Sequence, residues 1–94
     1  MTSNNGIKVV HAARFLKSLK RLPWRIQEKI AERHDIFTQN PFDPRLDTHK
    51  LHGRFKEFWA YSVDHRYRVI FIFKNPHTVI YYDTGLHPIY RGSE

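Results

Sequence analysis

The chain has 94 residues, of which 40% are hydrophobic and 15% aromatic, and this composition argues against a disordered protein. A chain of this length is expected to form one compact domain spanning residues 1–94. Sixteen Lys and Arg residues against nine Asp and Glu residues give a net charge of +7. This charge favours a polyanionic partner such as RNA, DNA, an anionic membrane surface or an acidic protein.

The sequence contains no cysteine, which excludes disulfides and thiolate metal sites and suits a reducing compartment. Its first residues include no basic segment followed by a long apolar run, so we expect no signal peptide. The longest apolar stretch, residues 69–73, is far shorter than the ~20 residues of a membrane-spanning helix. We therefore expect a soluble, cytoplasmic protein.

The first half of the chain predicts a strand followed by two helices. Residues 7–10, with the sequence IKVV, form a short candidate strand. From Ala12 the apolar residues repeat at helical spacing, and Pro23 separates a first helix from a second that runs to about Thr38. The positions that define the apolar faces are Phe15, Leu16, Leu19, Leu22, Ile26, Ile30, His34 and Phe37.

The second half of the chain predicts three consecutive strands, at residues 54–63, 67–74 and 78–84. The turns between them have the sequences DHR and NPH. The middle strand is almost continuously apolar, as expected of a central strand covered on both faces. We therefore predict an α+β domain with the order β-α-α-β-β-β, in which a helical hairpin packs on one face of an antiparallel three-stranded meander.

A cationic segment precedes and begins the first strand of the meander. If this segment is extended, its cations share one side of the chain and could contact phosphates, while apolar residues anchor the other side. The alternative is a solvated edge strand whose lysines prevent aggregation. The cations are Lys50, His52, Arg54 and Lys56, and they alternate with Leu51, Gly53 and Phe55.

Arg68 begins the most apolar strand, where a charged side chain is costly unless it is paired or lies at a sheet end. A guanidinium on a rigid strand suits bidentate recognition of a phosphate. The alternative is a structural ion pair with Asp64 or Asp83. The sequence leaves both interpretations open.

The end of the chain carries a second group of polar side chains. Gly85 is the position at which the last strand is expected to end, and His87, Tyr90 and Arg91 follow it around Pro88. We expect this segment to form part of an active site if the sheet brings Arg68 beside it. His49 and His52 could bind a metal only with ligands from elsewhere, so we predict no metal and no cofactor.

Four stretches occur in an order that resembles the RelE/ParE superfamily of toxins from bacterial type II toxin–antitoxin systems. These are KLHG at residues 50–53, an aromatic-rich strand, YRVIF at residues 67–71 and TGLHPIY at residues 84–90. The first strand and the two helices also resemble the family, so the similarity covers nearly the whole chain. It implies a RelE-like fold and one of two activities. RelE-type members cleave mRNA in the ribosomal decoding site, whereas ParE-type members inhibit DNA gyrase.

Resemblance to the nucleolytic RelE and YoeB branch implies a metal-independent reaction. The ribose 2′-OH attacks the adjacent phosphorus and gives a 2′,3′-cyclic phosphate and a free 5′-OH, which requires a base, an acid and cations around the phosphorane. In this comparison Arg68 matches an arginine that serves the phosphate. His87 resembles a late histidine proposed as general acid, and Tyr90 resembles a near-terminal tyrosine.

The sequence offers three candidates for the general base. Lys50 and His52 resemble a pair of lysines in RelE, whereas YoeB has a glutamate base at the place of His49. No carboxylate occupies that place here, so the base is one of His49, His52 and His87. A histidine suits either role, because its unperturbed pKa of about 6.5 lies near neutral pH.

The resemblance also implies the partners of the protein. These are a cognate antitoxin, the 70S ribosome with its mRNA, and operator DNA for the toxin–antitoxin complex. We predict a ribosome-dependent mRNA endonuclease. The alternatives are a ParE-like gyrase inhibitor without nuclease activity and a basic RNA- or protein-binding module without catalysis. The additional RNA-binding candidates are His49, Arg54, Lys56, Arg66 and Arg91.

Overall fold

The computed structural model describes residues 6–86, and the elements of this part follow the predicted order of a strand, two helices and a meander. The predicted α+β class is therefore confirmed. No helix within residues 6–86 is long and apolar enough to cross a membrane. The elements are β1 (Lys8–His11), α1 (Ala13–Lys20), α2 (Trp24–Gln39), a first 3₁₀ turn (Pro44–Leu46), β2 (His49–Lys50), a second 3₁₀ turn (Gly53–Phe55), β3 (Trp59–Ser62), β4 (Tyr67–Asn75) and β5 (Thr78–Leu86).

The five strands form one mixed sheet in the order β1-β5-β4-β3-β2. Strands β2 to β5 pair antiparallel with their neighbours, whereas β1 joins the edge of β5 in parallel. Strand β4 is central, as its apolar run predicts. Parallel pairing of β1 places the start of α1 beside β5, because α1 follows β1 after a single residue.

The two faces of the sheet bury different clusters. Side chains alternate across a strand, so Tyr61, Phe71 and Tyr81 face the helices and pack with Phe15 and Phe37 in the main core. The opposite face, which we call the open face, carries a smaller cluster whose buried members come from β3, β4 and the residue after β2. These members are Ala60, Ile70 and Leu51, and Phe55, Phe58 and Tyr82 pack around them.

The prediction of a strand at residues 54–63 is wrong for the first half of that range. Residues 53–55 form a 3₁₀ turn, and β3 begins only at Trp59. Gly53 has a φ of 69°, in the left-handed region where glycine lacks the steric penalty of other residues. The turn redirects the chain, so the cations of residues 50–56 do not lie along one side of a single extended strand.

A chain of polar groups runs through the main core. The Tyr81 hydroxyl lies 3.0 Å from His34 Nδ1 on α2 and 3.0 Å from the Tyr61 hydroxyl on β3. Burial raises the pKa of both phenols, so they remain neutral donors and acceptors. Burial also lowers the pKa of His34, and the neighbouring His11 lowers it further, while Asp35 opposes both effects.

We predict that His34 makes the protein less stable in mild acid. The folded state disfavours the imidazolium, so the unfolded chain binds the proton first as the pH falls below 6.5, the ordinary pKa of histidine. The contribution of His34 to the free energy of unfolding is complete above that pH and decreases below it. A His34→Gln variant should therefore show a weaker pH dependence of the unfolding free energy between pH 7 and 5, measured by urea denaturation.

His77 provides the matched control, because it is exposed in the turn between β4 and β5. His77→Gln should leave the pH dependence of the wild type almost unchanged. Equal slopes in the wild type and in His34→Gln would contradict the proposed effect of burial on His34.

Candidate active site

Arg68 lies at the start of the central strand β4 and is half-buried. By strand alternation with the buried Ile70, its side chain belongs to the open face. One terminal nitrogen, Nη1, donates to the carbonyl oxygens of Asp64 at 2.6 Å and of Tyr67 at 3.1 Å. The Nε atom is buried and has no hydrogen-bond partner among the described residues. Backbone acceptors thus orient the guanidinium without neutralising its charge.

The alternative of a structural ion pair for Arg68 is not observed among the described residues. The Asp64 carboxylate instead accepts the backbone N–H groups of Arg66 and Tyr67, at 2.8 and 2.9 Å. Burial alone would raise the pKa of Asp64, but these two hydrogen bonds, together with the charges of His65 and Lys29, lower the pKa below its ordinary value. The ionised carboxylate therefore shapes the β3–β4 turn, and the carbonyl of that turn holds Arg68.

Asp83 connects α1 to the same part of the sheet. Its carboxylate is buried, with 6% of the residue exposed, and accepts Arg14 Nε at 3.0 Å and the Ser18 hydroxyl from α1. It also accepts the backbone N–H of Thr84 at 2.8 Å. The Thr84 hydroxyl donates to the backbone carbonyl of Arg68 at 2.8 Å. A continuous series of polar contacts therefore links α1, β5 and β4.

Strand β5 ends beside Arg68. Gly85 pairs with Arg68, and Leu86 pairs with Tyr67. Directly opposite residues in a sheet lie on the same face and close together, so a side chain at position 85 would lie beside that of Arg68. Glycine places no side chain there, and Gly85 is itself buried. The predicted site residues His87, Tyr90 and Arg91 follow Leu86 in the sequence and lie outside the described residues.

The predicted cations at residues 49–56 separate into two locations. His49 pairs with Ala60 and therefore shares the open face with Arg68, and its Nδ1 lies 3.0 Å from the carbonyl of Asp47. Lys50 pairs with Trp59, and its Nζ lies 6.0 Å from the centre of the indole ring. Lys50 and Trp59 belong to the helix side by alternation, which separates Lys50 from Arg68.

A cavity of about 570 Å³ lies beside Lys50 at the end of the sheet. It brings together Lys50, His52 and Lys56, but it does not include Arg68. Register places Lys50 two strands and three residues away from Arg68, which corresponds to roughly 14 Å between their Cα atoms. The sheet therefore carries two cationic locations rather than one.

Two other predicted cations lie in exposed turns. Arg54 is exposed in the second 3₁₀ turn, with its guanidinium carbon 6.0 Å from the centre of the Phe55 ring. Arg66 is exposed in the β3–β4 turn, two residues before Arg68.

Sequence reasoning missed Trp59 and the role of the Asp64 carbonyl. The pairing of Lys50 with Trp59 follows from the β2–β3 register, and β2 is only two residues long, too short for its pattern to be recognised.

No family model matches the sequence, and no curated protein matches it significantly. Solved structures do match the fold. YafQ from Escherichia coli strain BL21(DE3) has a TM-score of 0.73 at 16% identity, over 88% of this chain and 96% of that chain. A YoeB/ParE toxin from Agrobacterium tumefaciens has a TM-score of 0.71 at 16% identity, over 86% and 99%. RelE, in an archaeal RelE–RelB complex from Pyrococcus horikoshii OT3, has a TM-score of 0.67 at 21% identity, over 86% and 94%.

These similarities span most of each chain at low identity and establish the fold. The chain has the small α+β fold shared by YafQ, YoeB/ParE and RelE, with two helices on one face of a five-stranded mixed sheet. The RelE-like fold expected from the sequence is therefore confirmed.

We predict that Asp83→Asn destabilises the protein by about 2–3 kcal/mol, in the range for a hydrogen bond to a charged group. The substitution removes the charge and turns an amide N–H₂ group towards either Arg14 or the donors Ser18 and Thr84. The free energy of unfolding from urea denaturation measures the loss.

Asp43→Asn is the matched control. Asp43 pairs with Arg45 at 2.9 Å, so both variants remove one carboxylate from an arginine. That pair is local and exposed, and solvent screens it. The Asp43 variant should lose clearly less stability than the Asp83 variant. Equal losses would show that Asp83 does not hold α1 on β5.

Proposed function

We propose that this chain is the toxin of a type II toxin–antitoxin system and that it cleaves mRNA on the ribosome. The shared fold with a YoeB/ParE toxin and with RelE supports the toxin role. Arg68 supports the nuclease role, because an oriented guanidinium without a neutralising carboxylate suits a phosphate. This arrangement of Arg68 is the observation that carries the proposal.

In the proposed reaction the ribose 2′-oxygen loses its proton to a base and attacks the adjacent phosphorus. The bond from phosphorus to the 5′-oxygen breaks, and an acid protonates the leaving oxygen. The products are a 2′,3′-cyclic phosphate and a free 5′-OH. Arg68 stabilises the charge that accumulates on the phosphorane oxygens, using the outer N–H groups that the Asp64 and Tyr67 carbonyls leave unengaged.

His49 and His87 are the proposed proton carriers. The contact of His49 Nδ1 with the Asp47 carbonyl favours the tautomer with a proton on Nδ1, which places the basic lone pair on Nε2. His87 follows the strand end beside Arg68 in the sequence, so we assign it the role of acid for the leaving 5′-oxygen. Tyr90 is assigned to orienting or stacking on a base of the substrate.

The other cations are assigned to binding rather than to proton transfer. Lys50 and His52 line the cavity at the end of the sheet, away from Arg68, and there they would neutralise a flanking phosphate. Arg54, Lys56, Arg66 and Arg91 would extend the positive surface along the RNA. The ribosome would position the 2′-OH in line with the leaving oxygen. The entropic cost of this alignment is a large part of the barrier to such a reaction.

The proposed partners follow from the same assignment. The archaeal RelE was solved in complex with RelB, and we propose that this chain likewise binds a cognate antitoxin. A net charge of +7 favours an acidic antitoxin while the toxin is inhibited, and the 70S ribosome with its mRNA once the toxin is free. We propose further that the toxin–antitoxin complex binds operator DNA and that the protein acts in the cytoplasm.

We predict that Arg68→Ala lowers the rate of mRNA cleavage on ribosomes by about 10²–10³-fold, as for removal of one donor from an oxyanion site. Binding of the ribosome–mRNA complex should weaken much less, because the charge that Arg68 meets grows in the transition state. Arg68→Lys keeps the charge but loses the planar fork, so its rate should be intermediate. Toe-print mapping with purified ribosomes and a defined mRNA measures the rate.

Lys8→Ala is the matched control, because Lys8 is exposed on β1 and its removal changes the net charge equally. That variant should cleave like the wild type. If Arg68→Ala reduced ribosome affinity and turnover equally, Arg68 would be a binding residue only. If His87→Ala remained fully toxic and blocked DNA replication instead of translation, the chain would be a gyrase inhibitor and the nuclease proposal would be wrong.

A further inference from the structure

The cavity at the end of the sheet combines residues from both faces. It has a volume of about 570 Å³ and lies where β2 ends and β3 begins, beside Ile72 and Phe73 of β4. Its shape is an open cleft at the sheet end rather than an enclosed chamber. The lining residues are Lys50, Leu51, His52, Lys56, Glu57, Trp59, Ile72 and Phe73.

Trp59 forms a fixed aromatic wall of this cavity. Its ring lies 5.7 Å from that of Phe73, at an interplanar angle of 88°, and 5.5 Å from that of Phe42, at 77°. These edge-to-face contacts hold the indole ring in place, while Trp59 stays only half-buried. A fixed and partly exposed aromatic ring is the platform on which proteins stack the bases of single-stranded nucleic acid.

Three cationic side chains line the cavity together with this ring. Lys50 Nζ lies 6.0 Å from the centre of the indole, and His52 and Lys56 are exposed on the loop that follows β2. Glu57 is the one acidic side chain among the lining residues. Aromatic surface beside several cations complements a nucleotide, which combines a flat base with a charged phosphate.

We propose that this cavity binds one nucleotide of a single-stranded RNA. The base stacks on Trp59, and the phosphate lies against the three cations of the cavity, Lys50, His52 and Lys56. The choice of RNA as the ligand rests on the proposed function. Trp59 pairs with Phe71, three residues along β4 from Arg68, or about 10 Å along the strand. The bound nucleotide therefore flanks the cleaved bond, and the cavity acts as a subsite that sets where the RNA lies relative to Arg68.

The two tryptophans of the chain allow a direct binding test on the full-length protein. Trp24 is 70% exposed at the start of α2 and does not line the cavity, so Trp24→Phe leaves Trp59 as the single indole reporter. Titration of this variant with a short single-stranded RNA should quench its fluorescence. In the reciprocal Trp59→Phe variant, the same RNA should leave the fluorescence of Trp24 almost unchanged.

Substitutions in the cavity should weaken RNA binding in two distinguishable ways. Loss of one stacked base corresponds to roughly 5- to 150-fold weaker affinity, so Trp59→Leu should fall in this range and Trp59→Phe should lose less. Lys50→Ala and Lys56→Ala should each lower the slope of log affinity against log salt by about 0.7. Because Lys50 and Lys56 are exposed, these two variants test the cavity even if Trp59→Leu fails to fold.

The outcomes of these experiments distinguish the proposed RNA subsite from the proposed nuclease function. Unchanged RNA affinity and an unchanged salt slope in folded Trp59 and Lys50 variants would overturn the subsite, even if Arg68→Ala abolished cleavage. An acidic peptide that quenched Trp59 more strongly than RNA would also overturn it and would indicate a protein ligand. RNA binding that depends on Trp59, in a protein that cleaves no mRNA, would support the subsite and contradict the nuclease proposal.

Discussion

The pairing of β4 with β5 is the constraint on which the rest of the structure depends. These two strands contribute to the buried clusters of both sheet faces, and β5 alone provides the edge to which β1 adds. Their register also places Gly85 opposite Arg68. A slip of one residue would turn every apolar side chain of a strand to the other face, so burial of the two cores fixes this register. The position of the candidate active site is therefore a consequence of packing.

Polar contacts fix the orientation of the side chains whose positions are determined by packing. The Asp64 carboxylate fixes the β3–β4 turn, and the carbonyls of Asp64 and Tyr67 orient the guanidinium of Arg68. Asp83 ties α1 to β5 at the same end of the sheet. A charged group that meets a phosphate must be held in one orientation to stabilise a transition state, and these backbone and carboxylate contacts supply that preorganisation without cancelling the charge.

Local patterns in the sequence predicted most of the fold. Apolar residues at helical spacing predicted both helices, and the continuous apolar run predicted that β4 is central. The parallel pairing of β1 with β5 joins residues about 70 positions apart, as in the pair of Lys8 with Thr78, and no local pattern encodes it. The turn at Gly53 was missed because a single positive φ overrides an alternating pattern.

The candidate site was predictable only where local sequence patterns reveal it. Arg68 stands out because an arginine is unusual in an apolar strand, whereas its orientation depends on a turn that only the structure shows. The separation of Lys50 from Arg68 was not predictable, because it follows from strand register rather than from spacing. His87, Tyr90 and Arg91 lie outside the described residues, so their roles remain predictions from the sequence.

The proposed function requires that the chain cleaves mRNA by attack of the ribose 2′-oxygen, with Arg68 at the phosphate. The chemistry of the product ends tests it most directly, on mRNA cut by the full-length protein in a reconstituted translation reaction. We expect a 2′,3′-cyclic phosphate on the upstream fragment and a 5′-OH on the downstream fragment, which polynucleotide kinase labels without prior phosphatase treatment. Intact mRNA, or a downstream fragment with a 5′-phosphate, would contradict it.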